Sequence, residues 1–147
     1  MRLSTKGEYA SRAMLELSVR YDEGPLHGHD ISKAQKIPLR FLEQILLQLK
    51  RAGHLKSRKG RDGGYQLSKP PSEITVAEVI RVMDGPLAPI DCVSVMAHEP
   101  CPMEGTCGLQ WLWKEVRDSV AEILERTTFA ELVDKSGRRR KPVGGPS

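Results

Sequence analysis

Glycine and proline residues divide the first half of this sequence into short segments of helical pattern. Apolar side chains recur within each segment at three- and four-residue steps, which is typical of amphipathic helices. The patterns stop at Gly24-Pro25, at Gly53 and at Gly85-Pro86, because helices tolerate glycine and proline badly in their interior. The predicted helices cover residues 4–21, 29–35, 38–52 and 76–84. The sequence therefore predicts a mainly α-helical fold with sharp turns between its helices.

The segment from Leu55 to Leu67 predicts a β-hairpin. Two short strands flank a glycine-rich turn at residues 60–64, where glycine permits positive φ. A winged helix-turn-helix consists of two helices, a third helix with polar residues opposite its apolar side, and then a hairpin. The predicted elements follow this order. A loop over residues 86–107 then precedes a long helix over residues 108–126. The predicted fold class is mainly α with a small β-hairpin wing, a winged helix-turn-helix plus a long C-terminal dimerisation helix.

The charge of the chain changes sign between its two halves. Residues 1–69 hold 14 basic and 7 acidic residues, residues 70–134 hold 4 and 12, and residues 135–147 hold 5 and none. A basic first half suits contact with a polyanion, which leaves assembly or sensing to the second half. Ordinary variation of charge along a chain is the alternative. The predicted organisation is a DNA-binding domain (1–70), a sensor loop with dimerisation helices (71–134), and a basic, disordered tail (135–147).

Several classes of protein are excluded at this point. The sequence has no apolar run of membrane-spanning length and no apolar signal region at its N-terminus, which predicts a cytoplasmic protein with no membrane partner. It has no paired acid and base, no activated nucleophile and no phosphate-cradling glycine loop, so no enzyme activity is expected. Three cysteines in such a protein favour a metal, a cluster or a thiol switch over structural disulfides.

The outer side of the third helix predicts how the chain reads DNA. Arginine pairs with guanine, glutamine pairs with adenine, and glutamate accepts from cytosine. The predicted base-reading residues are Arg40, Glu43, Gln44 and Gln48. The wing residues expected on phosphates or in a minor groove are Lys56, Arg58, Lys59 and Arg61. A helical domain with an ordinary charged surface is the alternative.

The long helix carries apolar residues at heptad-like steps. Leu109, Leu112, Val116, Val120 and Ile123 are separated by three, four, four and three positions. Such a seam requires a partner helix. The predicted dimer interface therefore consists of Leu112, Val116, Val120 and Ile123, packed across a two-fold axis.

All three cysteines lie in the loop before the long helix. Cys92, Cys101 and Cys107 are separated by eight and then five residues, a spacing that alone leaves inert thiols as an equal alternative. Cys107 comes directly before the helix, and a helix N-terminus favours the thiolate, which is the form that ligates iron–sulfur clusters. Three cysteines with His98 would also suit zinc.

Three stretches of the sequence, Met1–Ala10, Pro38–Leu46 and Gly63–Leu67, together resemble the IscR/NsrR/RirA family of bacterial winged-helix transcription regulators. The resemblance extends from residue 1 to about residue 130. It implies a homodimer that binds palindrome-like operators in double-stranded DNA, with the C-terminal helices paired. It also implies that the three loop cysteines hold an iron–sulfur cluster.

The fourth cluster ligand is where the sequence departs from this family. IscR-like members place a histidine three residues after the last cysteine, a position held here by Gln110, which is a poor ligand. NsrR-like members use an acidic residue near the N-terminus of the partner subunit, and Glu8 occupies that place. His98 is a further candidate. The resemblance thus implies an iron–sulfur cluster, [4Fe-4S] in preference to [2Fe-2S], held by the metal ligands Cys92, Cys101, Cys107 and Glu8 of the partner subunit.

The predicted function is that of a sequence-specific DNA-binding transcriptional regulator, a repressor controlled by a cluster that senses nitric oxide, iron or redox state. The alternative is a cluster-free or zinc-binding winged-helix regulator, controlled by a protein partner or by thiol oxidation.

Overall fold

The computed structural model describes residues 3–95 and 97–138 of the chain. Within them the fold is mainly helical with one two-stranded hairpin, as predicted. The helices are α1 (Thr5–Val19), α2 (Gly28–Gln35), α3 (Leu39–Arg51), α4 (Val76–Asp84), α5 (Gly108–Arg126) and α6 (Phe129–Lys135), and the strands are β1 (Leu55–Arg58) and β2 (Gly64–Leu67). No described helix is both long enough and apolar enough to cross a membrane.

Side-chain caps fix the first residues of several helices. Ser4 Oγ accepts the backbone N–H of Gly7 at 2.9 Å at the start of α1. At α4, Thr75 Oγ1 accepts the Glu78 N–H while the Glu78 carboxylate accepts the Thr75 N–H, which satisfies two backbone donors reciprocally. Pro38 lies one residue before α3 as its N-cap. The four helices predicted over residues 4–84 begin and end within two residues of their predicted limits.

The wing is attached to the segment that precedes α2. Its strands are antiparallel, with Leu55 opposite Leu67. Leu26 and Tyr65 exchange backbone hydrogen bonds of 2.8 and 2.7 Å, so an isolated β-bridge joins the segment before α2 to β2. Gly64 has φ of 125°, and a Cβ at this position would lie 2.3 Å from the Leu26 carbonyl oxygen. Only glycine permits this close approach of the wing to the helical body.

One hydrophobic core holds the helices and the wing together. Its buried side chains include Ala10, Ala13, Met14 and Leu17 from α1, Ile31 from α2, Leu42, Ile45, Leu46 and Leu49 from α3, Leu55 and Leu67 from the wing, and Val76, Val79, Ile80 and Met83 from α4. The core therefore crosses residue 70, where the sequence suggested a domain boundary. The division into a DNA-binding part and a sensing part stays a prediction about function.

The sequence did not predict helix α6. Its first residue, Phe129, is fully buried in the core, and a burial of this kind contributes roughly 1.5–3 kcal/mol. The backbone N–H of Phe129 donates to Ile74 at 3.0 Å, and that of Val76 donates to Thr127 at 3.0 Å. These bonds fix the end of α5 and the start of α6 beside the start of α4.

The first residues of the predicted disordered tail, 135–138, have a described structure. Lys135 ends α6, and Arg138 forms an ion pair with Glu16 of α1. The buried apolar side chains of α6 and the buried carboxylate of Glu16 hold this segment in place. Neither contact produces a local pattern in the sequence. The rest of the predicted tail, residues 139–147, lies outside the described residues.

Candidate nucleic-acid interface and cysteine site

Helix α3 separates its apolar and polar residues onto opposite sides. Leu42, Ile45, Leu46 and Leu49 are buried. Arg40, Glu43 and Gln44 are exposed. The structure thus places three of the four predicted base-reading residues where a nucleic acid can reach them.

Gln48 is a correction to the predicted outer side of α3. Its side chain is half-buried, and its Nε2 donates to the Val82 carbonyl oxygen at 3.2 Å. Val82 lies in the last turn of α4, where carbonyl groups have no partner within the helix. Gln48 follows Gln44 by four residues, and the rotation of about 40° that this adds turns it towards α4. It therefore joins two helices and does not face outwards.

The wing presents its basic side chains to solvent. Leu55 is the buried residue of β1, and Lys56, Arg58, Lys59 and Arg61 are all exposed. Within the described part of the chain, none of these four cations has a carboxylate at salt-bridge distance. His27 Nε2 donates to the Arg61 carbonyl oxygen at 2.8 Å and so fixes the wing turn against the start of α2. Unpaired cations on a fixed hairpin suit contact with phosphates.

A partly buried histidine lies between α3 and the wing. His54 Nδ1 is buried and has no hydrogen-bond partner among the described residues. Burial lowers the pKa of His54, and Glu78 opposes this effect while Lys69 adds to it. The neutral imidazole is therefore the form that the folded chain favours.

The three cysteines line one cavity of about 150 Å³ at the start of α5. Cys92 and Cys107 are half-buried, Cys101 is exposed, and all three are free thiols. The other lining residues are the apolar Ile90, Met103, Leu109 and Trp113, together with Glu104 and Gln110. A loop of mixed composition has thus brought the predicted thiol ligands to a common, mainly apolar space.

The arrangement of the thiols bears on which metal group they could hold. No set of three His, Cys, Asp or Glu side chains in the described ranges is close enough together to hold a single metal ion. A cluster shares its thiolate ligands among several iron atoms, so its ligands need not converge on one point. Three soft thiols around an apolar cavity fit an iron–sulfur cluster by their chemistry.

The candidates for a fourth ligand have different surroundings. Gln110 is 7% exposed, and its Oε1 accepts the Gly105 N–H at 3.1 Å, which is a role within the loop. His98 does not line the cavity but pairs with Glu104 Oε1 at 2.9 Å. Glu104 does line the cavity and was not among the predicted ligands, although its position between Cys101 and Cys107 could have indicated it.

Glu8 does not line the cysteine cavity of its own chain. It is exposed and borders a groove of about 810 Å³ between α1, α4 and α5. Val120 of the predicted dimer seam borders the same groove. Glu8 therefore borders a different groove from the cysteines of its own chain, and its role as a ligand to the cysteines of a partner subunit stays a prediction.

Comparison with known proteins decides the family. The sequence model of Rrf2, described as an iron-dependent transcriptional regulator, matches residues 3–135. The chain belongs to the Rrf2 family. As predicted, this Rrf2 protein is a DNA-binding transcriptional regulator, and its relatives are regulators, not enzymes.

This Rrf2-family protein is similar to both CymR and IscR, at nearly equal sequence identity. It is 36% identical to CymR of Bacillus subtilis (strain 168) over 132 residues, which cover 90% of this chain and 89% of CymR. It is 37% identical to IscR of Photorhabdus laumondii, in a match that covers 98% of this chain and 93% of IscR. The solved structure of CymR, the global cysteine regulator of B. subtilis, has a TM-score of 0.80 and 33% identity, and covers 92% of this chain and 98% of that one. This match confirms the winged-helix fold.

The long helix of the Rrf2 chain leaves much of its apolar side uncovered. Leu112 is 41% and Ile123 51% exposed, while Val116 and Val120 are half-buried against their own chain. Leu109 and Trp111, near the cysteine cavity, are 61% and 66% exposed. An uncovered apolar stripe of this length is typical of a surface that another protein covers. The predicted dimer seam stays a prediction.

Proposed function

We propose that this Rrf2 protein is a homodimeric, cytoplasmic repressor whose affinity for a palindromic DNA operator is controlled by an iron–sulfur cluster on Cys92, Cys101 and Cys107. The observation that carries the proposal is the single cavity that these three thiols line. The description of the family as iron-dependent and the similarity to IscR support it.

The DNA-binding half has separate parts for reading sequence and for general affinity. Arg40, Glu43 and Gln44 on α3 offer the groups that distinguish bases in a major groove. The exposed cations of the wing neutralise phosphates or enter a minor groove. In a two-fold dimer, two copies of α3 would meet two half-sites of one operator.

The sensing half would hold the cluster with the three cysteines and the partner subunit's Glu8. When bound, the cluster supplies iron that can react with nitric oxide or an oxidant. A carboxylate is a harder ligand than a thiolate and a weaker one for cluster iron, so the Glu8 position is where a signal molecule would gain access. We favour [4Fe-4S] over [2Fe-2S].

The loop is connected to α5, so its shape can influence the dimer. Arg117 of α5 donates to the Val93 carbonyl oxygen at 2.7 Å, one residue after Cys92. A loop that closes around a cluster would therefore pull on α5 through this hydrogen bond. The two α3 helices would change their spacing with it, and operator affinity would change by linkage.

Anaerobic purification tests the proposal. We expect a coloured protein with a visible absorbance band and with stoichiometric iron and sulfide. Cys101→Ala is expected to lose the iron, and retention of full iron content in this variant would contradict cluster binding by the three cysteines.

The fourth ligand is tested in parallel by Glu8→Ala, His98→Ala and Glu104→Ala. We expect only Glu8→Ala to alter the spectrum and to lower iron retention. A change in His98→Ala or Glu104→Ala alone would transfer the role to that residue of the same chain.

A second candidate function is a cluster-free or zinc-binding regulator controlled by a protein partner or by thiol oxidation. The structural match to CymR, a global cysteine regulator, and the exposed thiol of Cys101 favour it. Anaerobic protein that is colourless and free of iron, yet binds its operator, would establish this candidate in place of the first.

A further inference from the structure

A buried carboxylate on α1 obtains its counter-charge from the far end of the described chain. Glu16 is 1% exposed. Its oxygens accept hydrogen bonds from the Arg138 guanidinium at 2.6 and 2.9 Å. Burial raises the pKa of Glu16, but the hydrogen bonds from Arg138 and Gln35, together with the positive charges of Arg138 and Arg20, bring the pKa below its ordinary value. The carboxylate is therefore charged at neutral pH, and a charge so deeply buried needs its partner.

The same carboxylate holds the end of α2. Gln35 is the last residue of α2, and its Nε2 donates to Glu16 Oε1 at 2.9 Å. The backbone carbonyl of Gln35 accepts a hydrogen bond from Arg12, one turn before Glu16 on α1. The next residue, Lys36, has φ of 54° and begins the turn into α3. Two α1 side chains thus fix α2 directly before this turn.

Aromatic contacts continue this series from Arg12 to α3. The Arg12 guanidinium lies 5.4 Å from the centroid of the Tyr9 ring. Tyr9 meets Phe41 edge-on, with ring centroids 5.6 Å apart and planes at 82°. Phe41 lies in the first turn of α3, next to Arg40. An unbroken series of contacts therefore joins Arg138 to the start of α3.

We propose that Arg138 is a positioning residue for DNA binding, which fixes the α2–α3 turn and the first turn of α3 through Glu16. The proposal rests on the proposed function in one respect, that α3 is the helix that reads DNA. Contacts in series are not in themselves energetic coupling, which a double-mutant cycle measures directly.

The experiment compares the full-length variants Arg138→Gln, Glu16→Gln and the double variant. Lys135→Gln is the matched control, because it removes a cation from the same segment whose contact with Glu131 is exposed. The DNA probe is a duplex selected from a random library with the parent protein. Amide hydrogen exchange is followed over residues 36–42 and over the wing, residues 55–67.

We expect Arg138→Gln to weaken DNA binding about tenfold, which corresponds to about 1.4 kcal/mol. It should accelerate exchange over residues 36–42 and leave the wing unchanged, whereas Lys135→Gln should match the parent in both measurements. In the Glu16→Gln background, Arg138→Gln should add no further loss, because no buried charge remains to be compensated.

Three results would overturn the proposal. These are parent-like behaviour of Arg138→Gln, additive losses in the double-mutant cycle, and faster exchange spread equally over the wing and α3, which indicates general destabilisation. If the parent protein selects no DNA, the proposed function fails, but the exchange pattern still decides whether Arg138 positions α3.

Discussion

The proposed DNA-binding half (residues 1–70) and the proposed sensing half (residues 71–134) differ in how much apolar surface one chain can bury. The core side chains of α1 and α3 are at most 3% exposed. In the sensing half, large apolar residues between positions 90 and 123 are 40–80% exposed, namely Ile90, Val95, Met103, Leu109, Trp111, Leu112 and Ile123. One chain thus buries the core of the proposed DNA-binding half, although Leu3, Leu39, Phe41 and Leu47 on its surface are 37–48% exposed. We infer that a second chain and a bound group complete the sensing half, which can therefore change shape while the core stays intact.

The largest effect is expected where the sensing half would be completed by its partner. Val116→Asp would place an unpaired charge in the apolar seam, at a cost of about 3–5 kcal/mol to the dimer. We expect the variant to sediment as a monomer. Its circular dichroism spectrum should remain that of a folded, mainly helical protein. Glu115→Gln on the same helix is the control. A dimer of unchanged stability in both Val116→Asp and Val120→Asp would rule out this seam.

A steric change at the wing tests whether the DNA-binding half is as rigid as its burial indicates. Gly64→Ala would bring a Cβ to 2.3 Å from the Leu26 carbonyl oxygen, so we expect it to lower the free energy of unfolding by about 1–3 kcal/mol and to weaken DNA binding. Gly60 also has positive φ, but nothing lies within 4 Å of the Cβ that an alanine would add. Thermal unfolding of Gly60→Ala against Gly64→Ala therefore separates collision from backbone strain, and equal losses would show that the attachment of the wing is unimportant.

Two substitutions divide the DNA-binding half into its parts. Glu43→Ala on α3 is expected to relax the preference for operator over mismatched duplex by about 1–3 kcal/mol, because a base contact is lost. Lys59→Ala on the wing should weaken binding to all duplexes alike and reduce the salt slope by about one. Titrations at several salt concentrations measure both quantities. If the two variants discriminate between duplexes and respond to salt as the parent does, α3 and the wing do not contact DNA as proposed.

The smallest effect concerns the dependence of stability on pH. Because the pKa of His54 is lower in the folded chain than in the unfolded one, protonation favours unfolding. The stability due to neutral His54 is fully present above the unfolded pKa of about 6.5 and is lost as the pH falls through the lower folded pKa. Over this window the free energy of unfolding decreases by less than about 1.4 kcal/mol per pH unit. Denaturant unfolding of His54→Gln should show a smaller loss below pH 6.5 than the parent, while the exposed His29→Gln should follow the parent. A parent-like loss in His54→Gln would assign it to other groups.

Local sequence patterns predicted the helices whose limits depend on nearby residues. The helical steps and the breakers Gly24-Pro25, Gly53 and Gly85-Pro86 gave α1 to α4, because periodicity and breakers act over a few residues. Helix α6 has seven residues, too few for a periodic signal, and depends on the burial of Phe129. Gln48 was misplaced because its partner Val82 lies 34 residues away.

The candidate site shows the same limit. Spacing alone could not decide whether Cys92, Cys101 and Cys107 share a cavity, since a loop with several prolines can take many paths. The ion pair of Glu16 with Arg138 spans 122 positions, and no pattern within the sequence indicates it. Resemblance to a family provided the predicted metal ligands, but it did not indicate Glu104.

The pairing of Thr75 with Thr128 gives α5 the properties of a lever. The backbone bonds around this pair anchor the C-terminal end of α5 to the core, whereas its N-terminal end carries the cysteine loop. A helix of 19 residues is about 28 Å long, so a rotation of about 5° around the anchored end displaces the other end by about 2.5 Å. A small change in the angle of α5 at its anchored C-terminal end therefore displaces the cysteine loop by several times the movement at the core. Conversely, a movement of the loop changes the angle of α5 only slightly.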